Sequence, residues 1–357
     1  MRHVVIVGGG IIGASCAYQV QAAGAQVTLV DAGAPSATAA SFGWINDSFF
    51  LDADHYRFRA AGLEAYRRLG AKLDVAIEWC GSLSWEDAPD ARDERFAALR
   101  DLGCDVRRIT RAEFQALEPE VAAPPQEALL FPKEGIVHPG QVAATLLAAA
   151  ESLGAQIVRG VAVTGLVERG DGCGGVQTAL GPILAEETLI CAGVHSAGLV
   201  SALDVALPMK SSPALVVRTP PQPRLARHVL SSAFGDVRQM ASGEIVTPAA
   251  TNHQASTTNG APEAPQEVAT RTSARLQQLF GRPLEWAEVA LAHRPVPEDD
   301  RPVIGQACSG LYVAVMHSGV TLAGIVGELV ARELCEGPSN RSQDLLSAYR
   351  PQRFEAR

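Results

Sequence analysis

Two short stretches near the N-terminus, residues 4–7 and 26–30, are mostly apolar and rich in β-branched side chains. Apolar runs of this kind are typical of strands that are buried on both faces of a parallel sheet. Residues 14–23 between them have a helical composition, and Gly24 can end that helix. The chain therefore begins with a predicted strand–helix–strand unit in which both strands are buried.

A glycine-rich loop, residues 8–13, joins the first strand to the helix. Gly8 permits a tight turn, Gly10 lets backbone N–H groups approach a pyrophosphate, and Gly13 lets the helix pack closely on the strand. The N–H groups and partial positive charge of the helix N-terminus favour phosphate binding. Asp31, at the end of the second strand, can bind both hydroxyls of an adenosine ribose. The unit predicts a dinucleotide site whose ribose carries no 2′-phosphate.

The same reasoning assigns elements along the rest of the chain. Helices are predicted at residues 57–79, 112–117, 141–153 and 321–335. Strands are predicted at residues 155–158, 161–168, 187–192 and 311–315, and a hairpin at residues 175–184. Residues 206–290 differ, because they contain several prolines and alternating segments such as 214–218 and 244–247. That region is predicted to be rich in β-structure.

These elements predict an α/β protein with two domains, which is also the expectation for a chain of 357 residues. A discontinuous Rossmann-like domain comprises residues 1–82, 130–205 and 291–357. A β-rich antiparallel domain comprises residues 83–129 and 206–290. The first domain is expected to bind the dinucleotide, and the second is expected to bind the substrate.

Composition and charge narrow the function classes. The net charge is −9 and no basic patch offsets it, which argues against nucleic acid and an anionic membrane surface as partners. The seven cysteines are scattered and include no CxxC pair, so neither a metal site nor a disulfide framework is indicated. Neither a signal-peptide pattern nor an apolar run of membrane-spanning length is present in the sequence. A cytoplasmic protein without an integral membrane segment is expected, and an oligomeric partner is left open.

Four segments, taken together, resemble one known family. They are residues 8–13 with Asp31, residues 134–139 followed by 152–155, residues 189–196, and residues 294–305 followed by 310–314. In this order they are similar to the D-amino-acid oxidase superfamily of FAD-dependent oxidoreductases, in the branch of glycine oxidase and sarcosine oxidase. The resemblance implies an enzyme that oxidises the C–N bond of an amino acid or N-alkyl amino acid by hydride transfer to flavin N5. Water then hydrolyses the imine that is formed.

The C-terminal pattern agrees with FAD rather than with a nicotinamide cofactor. A nicotinamide enzyme would usually carry a separate catalytic domain after its nucleotide domain. In this chain, residues 311–335 are instead predicted to add a strand, a small-residue loop and a helix to the nucleotide domain. The start of that helix, near residues 318–321, would point at a ligand. Its N–H groups suit the negative charge on the N1–C2=O edge of a reduced flavin. An ordinary strand–helix turn is the alternative.

The resemblance implies FAD contacts at the glycine loop and at several later loops. They are Gly8, Gly10, Ile11, Ile12, Gly13, Asp31, Ala32, Thr38, Ser41, Gly43, Trp44, Val163, Ala192, Gly193, Gly319, Val320 and Thr321. Sarcosine oxidases attach their flavin through a cysteine, and the equivalent position here is near Ala292, with Cys308 beyond it. Non-covalent FAD is therefore expected.

Three residues are predicted to serve the substrate, a small molecule with a carboxylate and an amine. Arg294 resembles the arginine that binds the substrate carboxylate, and its planar fork of donors suits that role. A salt bridge to the acidic run at residues 298–300 is the alternative. Arg238 is expected where the second domain faces the flavin. His317 could reach the flavin or the substrate, or it could be structural.

Two other functions stay open. The chain could be the FAD-carrying subunit of a heteromeric dehydrogenase complex, although no electron-exit motif supports this reading. It could also oxidise a 2-hydroxy acid. All three functions share the FAD site and differ in the substrate or in the electron acceptor.

Overall fold

The N-terminal strand–helix–strand unit forms as the sequence predicts. The computed structural model describes residues 2–210, 212–251 and 264–355. β1 (His3–Val7) and β2 (Gln26–Asp31) are adjacent parallel strands, and α1 (Ile11–Ala22) connects them. α1 begins directly at the glycine loop, earlier than predicted, because Gly10 is already its N-cap.

The other elements of the described residues follow in chain order. The strands are β3 (Trp44–Ile45), β4 (Ile77–Glu78), β5 (Ser82–Ser84), β6 (Arg107–Thr110), β7 (Glu127–Phe131), β8 (Gly135–Val137), β9 (Gln156–Arg159), β10 (Val163–Arg169), β11 (Gly172–Thr178), β12 (Gly181–Leu184), β13 (Glu187–Ile190), β14 (Met209–Lys210), β15 (Pro213–Arg218), β16 (Val229–Ser232), β17 (Gly235–Gln239), β18 (Ile245–Pro248), β19 (Glu288–His293), β20 (Val296–Pro297), β21 (Val303–Cys308) and β22 (Leu311–Val315). The helices are α2 (Ala53–Lys72), α3 (Pro89–Asp101), α4 (Arg111–Leu117), α5 (Pro139–Ser152), α6 (Ser196–Val200), α7 (Pro265–Phe280), α8 (Gly319–Glu336) and α9 (Asn340–Leu346). Short 3₁₀ helices occupy Gly193–His195, Ser201–Leu203, Ser347–Tyr349 and Pro351–Phe354.

A six-stranded sheet in the order β21-β22-β13-β1-β2-β9 forms the centre of one half of the molecule. Its neighbouring strands are parallel, except that β21 and β22 are antiparallel. Val4 and Ile6 of β1 join the core formed with α1 and α8. Val5 and Val7 point the opposite way, into the core shared with the three-stranded sheet β10-β11-β12. The centre of the sheet is therefore buried on both faces, as its apolar strands predicted.

An eight-stranded sheet in the order β19-β15-β18-β17-β16-β5-β7-β6 forms the centre of the other half. Its pairs are antiparallel apart from the parallel pair β16–β5. The two segments predicted for the second domain thus meet in one sheet. β5 begins at residue 82, β7 ends at residue 131 and β19 ends at residue 293, against predicted boundaries of 83, 129 and 290. The division into domains itself stays a prediction.

One predicted helix is shifted and shorter. The helix predicted at residues 57–79 is observed as Ala53–Lys72. It begins earlier because the Asp52 carboxylate accepts the His55 N–H at 2.9 Å and caps the first turn. It ends where the backbone becomes extended, and Ile77–Glu78 then pairs with β8. The C-terminal part of the prediction is therefore wrong.

The beginning of α8 is held close to α1 because small residues lie where the two helices meet. A Cβ atom on Gly327 would lie 2.3 Å from the Ser15 hydroxyl oxygen, so only glycine allows this approach. The Ser15 hydroxyl donates to the Ala323 carbonyl oxygen at 2.7 Å. These contacts fix the start of α8 relative to the glycine loop that precedes α1.

Within the described ranges, no helix has both the length and the apolar composition that crossing a bilayer requires. Over the same residues, no three His, Cys, Asp or Glu side chains are grouped so that they could hold a metal ion. All seven cysteines lie in these ranges and are free thiols.

Candidate cofactor and substrate site

A cavity of about 800 Å³ lies between the two large sheets. The loops that follow the carboxyl ends of β1, β2, β13 and β22 supply one wall. The eight-stranded sheet supplies the other wall, which includes the apolar residues Ala214, Leu215, Val216 and Leu291. Ligands of open α/β sheets bind at this edge of the strands. The volume is in the range of small-molecule and cofactor sites.

The cavity collects the predicted cofactor residues from distant parts of the chain. Those that line it are Gly8, Gly10, Ile11, Ile12, Asp31, Ala32, Thr38, Ser41, Gly43, Trp44, Val163, Ala192, Gly193, Gly319, Val320 and Thr321. Gly13 lies behind the loop, where a Cβ atom would come within 1.9 Å of the Gly8 carbonyl oxygen. Its position agrees with the packing role that the sequence predicted. The ligand contacts of all these residues stay predictions.

The glycine loop allows a ligand to approach its backbone closely. Gly8 has a φ of +104°, and a Cβ atom there would lie 2.6 Å from a backbone carbonyl oxygen, so only glycine fits. The Gly9 N–H donates to Asp31 Oδ1 at 3.1 Å, and the Ile11 N–H donates to Thr38 Oγ1 at 3.0 Å. No acidic side chain lies in the first turn of α1, so this N-terminus presents a positive potential to the cavity.

Trp44 lines the cavity on a segment that a buried acid holds in place. The Glu134 carboxylate accepts the Trp44 indole N–H at 3.0 Å and the Ser82 hydroxyl at 2.5 Å. It also accepts the backbone N–H groups of Asp47 at 3.1 Å and Ser48 at 3.0 Å. Burial, followed by repulsion from Asp47, raises the pKa of Glu134 to about 7. Sequence reasoning used Glu134 only as part of a motif and missed this positioning role.

α8 begins at the cavity. Ser318 is its N-cap and Gly319 its first residue, so the helix starts two residues before the predicted start at Thr321. The Thr321 hydroxyl donates to the Trp44 carbonyl oxygen at 3.2 Å and accepts the Asn46 N–H at 3.3 Å. The start of the helix is therefore fixed to the segment that carries Trp44.

Arg294 follows β19 and lines the cavity on the side of the eight-stranded sheet. Burial lowers the pKa of its guanidinium. Two acids of the run that offered an alternative role make other ion pairs: Asp299 pairs with Arg353 at 2.8 Å, and Asp300 pairs with Lys210 at 2.7 Å. The carboxylate-binding role of Arg294 stays a prediction.

The other two predicted substrate residues are placed differently from each other. His317 lines the cavity just before α8. Arg238 does not line it: its side chain is 2% exposed, donates through Nη1 to the Val137 carbonyl oxygen at 3.1 Å, and lies over the Phe42 ring. Asp236, two residues earlier on the same face of β17, lines the cavity instead. A substrate contact for Arg238 stays a prediction that this placement does not favour.

Two charged residues of the cavity wall were not predicted. Asp236 is 4% exposed and accepts the Ser231 hydroxyl at 2.7 Å. Arg59, from α2, is also 4% exposed and lines the cavity. Neither residue belongs to a motif, and each lies on an element whose polar positions would ordinarily face solvent. The sequence therefore carried no signal that singled them out.

The residues present fit an FAD molecule. Asp31 is the carboxylate expected at a ribose, and the glycine loop and the start of α1 suit a pyrophosphate. Gly43 has a φ of +79°, and a Cβ atom there would lie 2.4 Å from the Val137 carbonyl oxygen, so the wall at that point also requires glycine. The fold and the cavity define a dinucleotide-binding α/β protein whose ligand faces an antiparallel sheet.

Comparison with known families agrees with this class and narrows it. The family described as DAO, FAD dependent oxidoreductase, matches residues 3–333. The chain belongs to this family and is an FAD-dependent oxidoreductase. The family and the cofactor that the sequence motifs predicted are confirmed.

Two curated relatives illustrate the range of the family. The chain is 31% identical over 228 residues to 4-methylaminobutanoate oxidase (formaldehyde-forming) of Paenarthrobacter nicotinovorans. That match covers 61% of this chain but only 27% of the relative, so the chain spans a minor part of that protein's length. It is 29% identical over 385 residues to the hydrogen cyanide synthase subunit HcnC of Pseudomonas aeruginosa, which covers 92% of this chain and 91% of the relative.

The fold matches that of a solved flavoenzyme. Glycine oxidase from Bacillus cereus ATCC 14579 superimposes with a TM-score of 0.83 at 21% identity, covering 96% of this chain and 98% of the other. At this identity the match supports the fold alone. It confirms the predicted α/β class with its Rossmann-like domain.

Proposed function

We propose that the protein uses its FAD to oxidise the C–N bond of a small amino acid or N-alkyl amino acid. The observation that carries this proposal is the position of Arg294, a partly buried cation on the wall of the cavity that holds the predicted FAD residues. A carboxylate bound by its guanidinium would lie in the same cavity as the flavin, which is the arrangement that oxidation requires. When bound, FAD supplies the two-electron acceptor chemistry.

The residues of the second wall would orient such a substrate. Arg294 would bind the carboxylate through two parallel N–H donors. Asp236 places a carboxylate on the same wall, where it can accept an N–H from the substrate amine. Ala214, Leu215 and Val216 give that wall an apolar surface that limits water around the reacting carbon. The imine product needs no further protein group, because water hydrolyses it after release.

The names of the relatives support an amine substrate. One relative is named as an oxidase of 4-methylaminobutanoate, which carries a carboxylate and an N-methyl amine. Because the chain covers only 27% of that protein, the name supports the substrate class rather than that compound. An N-alkyl amino acid is accordingly part of the proposal.

Anaerobic addition of the correct substrate is expected to bleach the flavin absorbance of the purified protein. The panel should contain D-, L- and N-methyl amino acids together with the matching 2-hydroxy acids, which replace only the amine by a hydroxyl. Bleaching by an amine and not by its hydroxy analogue would support the proposal. Bleaching by hydroxy acids alone, or by no member of the panel, would contradict it.

A second candidate is an FAD-carrying subunit of a heteromeric complex. The observation that favours it is the relative HcnC, which is named as a subunit and matches over 92% of this chain. Admitting air after substrate bleaching separates the two functions. Rapid return of the yellow colour indicates an oxidase that acts alone, whereas return only with an artificial acceptor favours the subunit.

Acid precipitation is expected to release one FAD per chain into the supernatant, because no cysteine is placed to form a flavin bond. Among the seven cysteines, Cys191 alone lines the cavity, and its backbone carbonyl lies against Gly8 of the glycine loop. The absorbance spectra of supernatant and pellet measure the outcome. A yellow pellet would contradict non-covalent binding.

A further inference from the structure

Arg59 lies on the cavity wall beside the start of α8, and its charge has no assigned purpose in the proposed function. Its Nε donates to the Asn46 carbonyl oxygen at 3.0 Å, and its Nη1 donates to the Ser318 hydroxyl oxygen at 2.7 Å. Its Nη2 contacts the Asn46 side-chain oxygen and, at 3.5 Å, the Thr321 hydroxyl oxygen. Every one of these partners is neutral.

The positive charge of Arg59 is buried without a direct counter-ion. In the part of the chain that the structure describes, no carboxylate lies within 4.0 Å of its guanidinium. Burial lowers the pKa of Arg59 to about 10, so the side chain stays charged at neutral pH. A buried cation without an ion pair is costly unless a ligand supplies the negative charge.

The nearest acids, Glu134 and Asp47, do not form an ion pair with Arg59. Glu134 and Asp47 raise the pKa of Arg59 from beyond ion-pair distance. Burial raises the pKa of Asp47, although the charge of Arg59 opposes this shift. Burial, followed by repulsion from Asp47, raises the pKa of Glu134 to about 7. The direct hydrogen-bond partners of the guanidinium at this point of the cavity wall are therefore all neutral.

A second positive feature lies at the same place. α8 begins at Gly319, and its first N–H groups carry the partial positive charge of a helix N-terminus. The Ser318 side chain does not cap this helix and instead accepts the hydrogen bond from Arg59. The first turn of α8 contains no acidic residue. Arg59 and the helix therefore reinforce one another in favouring an anion.

We propose that Arg59 is the fixed cation that stabilises the negative charge of the reduced flavin ring. Hydride transfer from a substrate carbon adds a proton and two electrons to the ring, so the ring gains one negative charge and the substrate gains one positive charge. A guanidinium has five N–H donors, and the contacts of Arg59 within the described residues use four of them. One Nη1 donor is left for the ligand. The assignment rests on the proposed function and on the flavin ring lying at the start of α8, as the family resemblance implies.

The two-electron reduction potential of the bound FAD tests this role without any substrate. An enzymatic reductant such as xanthine with xanthine oxidase, equilibrated against a reference dye, measures the potential. Arg59→Met is expected to lower the ratio of reduced to oxidised flavin roughly 10- to 100-fold at a given potential, which corresponds to a fall of about 30–60 mV. Arg59→Lys keeps the charge, so its reduction potential is expected to stay close to the native value. Arg57→Met is the control, because Arg57 lies on the same helix, is 54% exposed and pairs with Asp54.

A charge effect and a structural effect give different patterns. If Arg59 only anchors Asn46 and Ser318, the reduction potential should fall as far in the lysine variant as in the methionine variant, and the proposal fails. An unchanged potential in Arg59→Met would also overturn it. Should Arg59→Met not retain FAD, Arg59→Gln keeps donors for these two partners and replaces it in the comparison. The dissociation constant of sulfite, which adds to flavin N5 and needs the same negative ring, should rise by a similar factor in the neutral variants.

This measurement also separates the present inference from the proposed function. The potential does not depend on which substrate the protein oxidises. If no amino acid of the panel bleaches the flavin, the proposed reaction is refuted. The expected shift of the reduction potential in the Arg59 variants would still be testable. If a substrate is identified but the neutral variants keep the native reduction potential, the role of Arg59 is refuted and the proposed function stands.

Discussion

Arg294→Lys is expected to lower kcat/KM by roughly 10²–10³-fold on the substrate found with the panel, mainly by raising KM. A lysine ammonium is a point charge and cannot reproduce two parallel N–H···O bonds to a carboxylate. The site is partly buried, and burial lowers the pKa of the Arg294 guanidinium, so water compensates only in part for the lost bonds. Steady-state kinetics over a wide range of substrate concentrations separate KM from kcat.

Arg282→Lys serves as the matched control for this variant. The Arg282 side chain is 48% exposed, pairs with Glu120 at 2.7 Å and does not line the cavity. The kinetics of Arg282→Lys should therefore equal those of the native enzyme. FAD content should be the same in both variants. Arg294→Lys with native kinetics at full FAD content would exclude Arg294 from substrate binding.

Gly10→Val is expected to weaken FAD binding by at least about a hundredfold, so that the protein purifies without colour. A Cβ atom on Gly10 would already lie 3.2 Å from Thr38 Oγ1, which accepts the Ile11 N–H. The two further methyl groups of valine would therefore displace Thr38 or fill the space in front of the α1 N-terminus. The rise in Tm on adding FAD measures the remaining affinity, because a ligand stabilises only the state that binds it.

Gly165→Val tests whether the effect of a valine is specific to the glycine loop. Gly165 lies in β10, where an added Cβ atom meets no atom within 4 Å and a β-branched residue is favoured. This variant should retain FAD and its Tm response. A specific role for Gly10 would be contradicted if both variants lost FAD equally, or if Gly10→Val purified with one FAD per chain.

The cofactor side of the cavity could be predicted because its requirements are local in sequence. The φ of Gly8, the packing of Gly13 and the position of Asp31 at the end of β2 all follow from one strand–loop–helix–strand unit. The buried strands β1, β2, β13 and β22 were equally readable from their mostly apolar runs, whereas β21 of the same sheet was not predicted. The helix α2 was less well predicted, because its start depends on a cap and its end on pairing between β4 and β8.

The charged residues inside the cavity wall were not predictable in the same way. Arg59 donates to Ser318, which is 259 positions further along the chain. Glu134 binds the indole N–H of Trp44, 90 positions earlier. Such contacts depend on how the sheets and helices come together, and a single arginine or glutamate in an amphipathic segment looks like a solvated residue. The same limit explains why Arg238 was selected on β17 although Asp236 lines the cavity.

The two walls of the cavity come from different sheets, and this has a consequence for how such proteins diversify. Most of the residues predicted to hold FAD lie in loops after strands of the six-stranded sheet, whereas Ala214, Leu215, Val216 and Asp236 belong to the eight-stranded sheet. Substitutions on separate walls that share no partners should act nearly independently. If the second wall binds the substrate as proposed, a lineage can exchange one substrate for another through β15 and β17 while its redox cofactor is inherited unchanged.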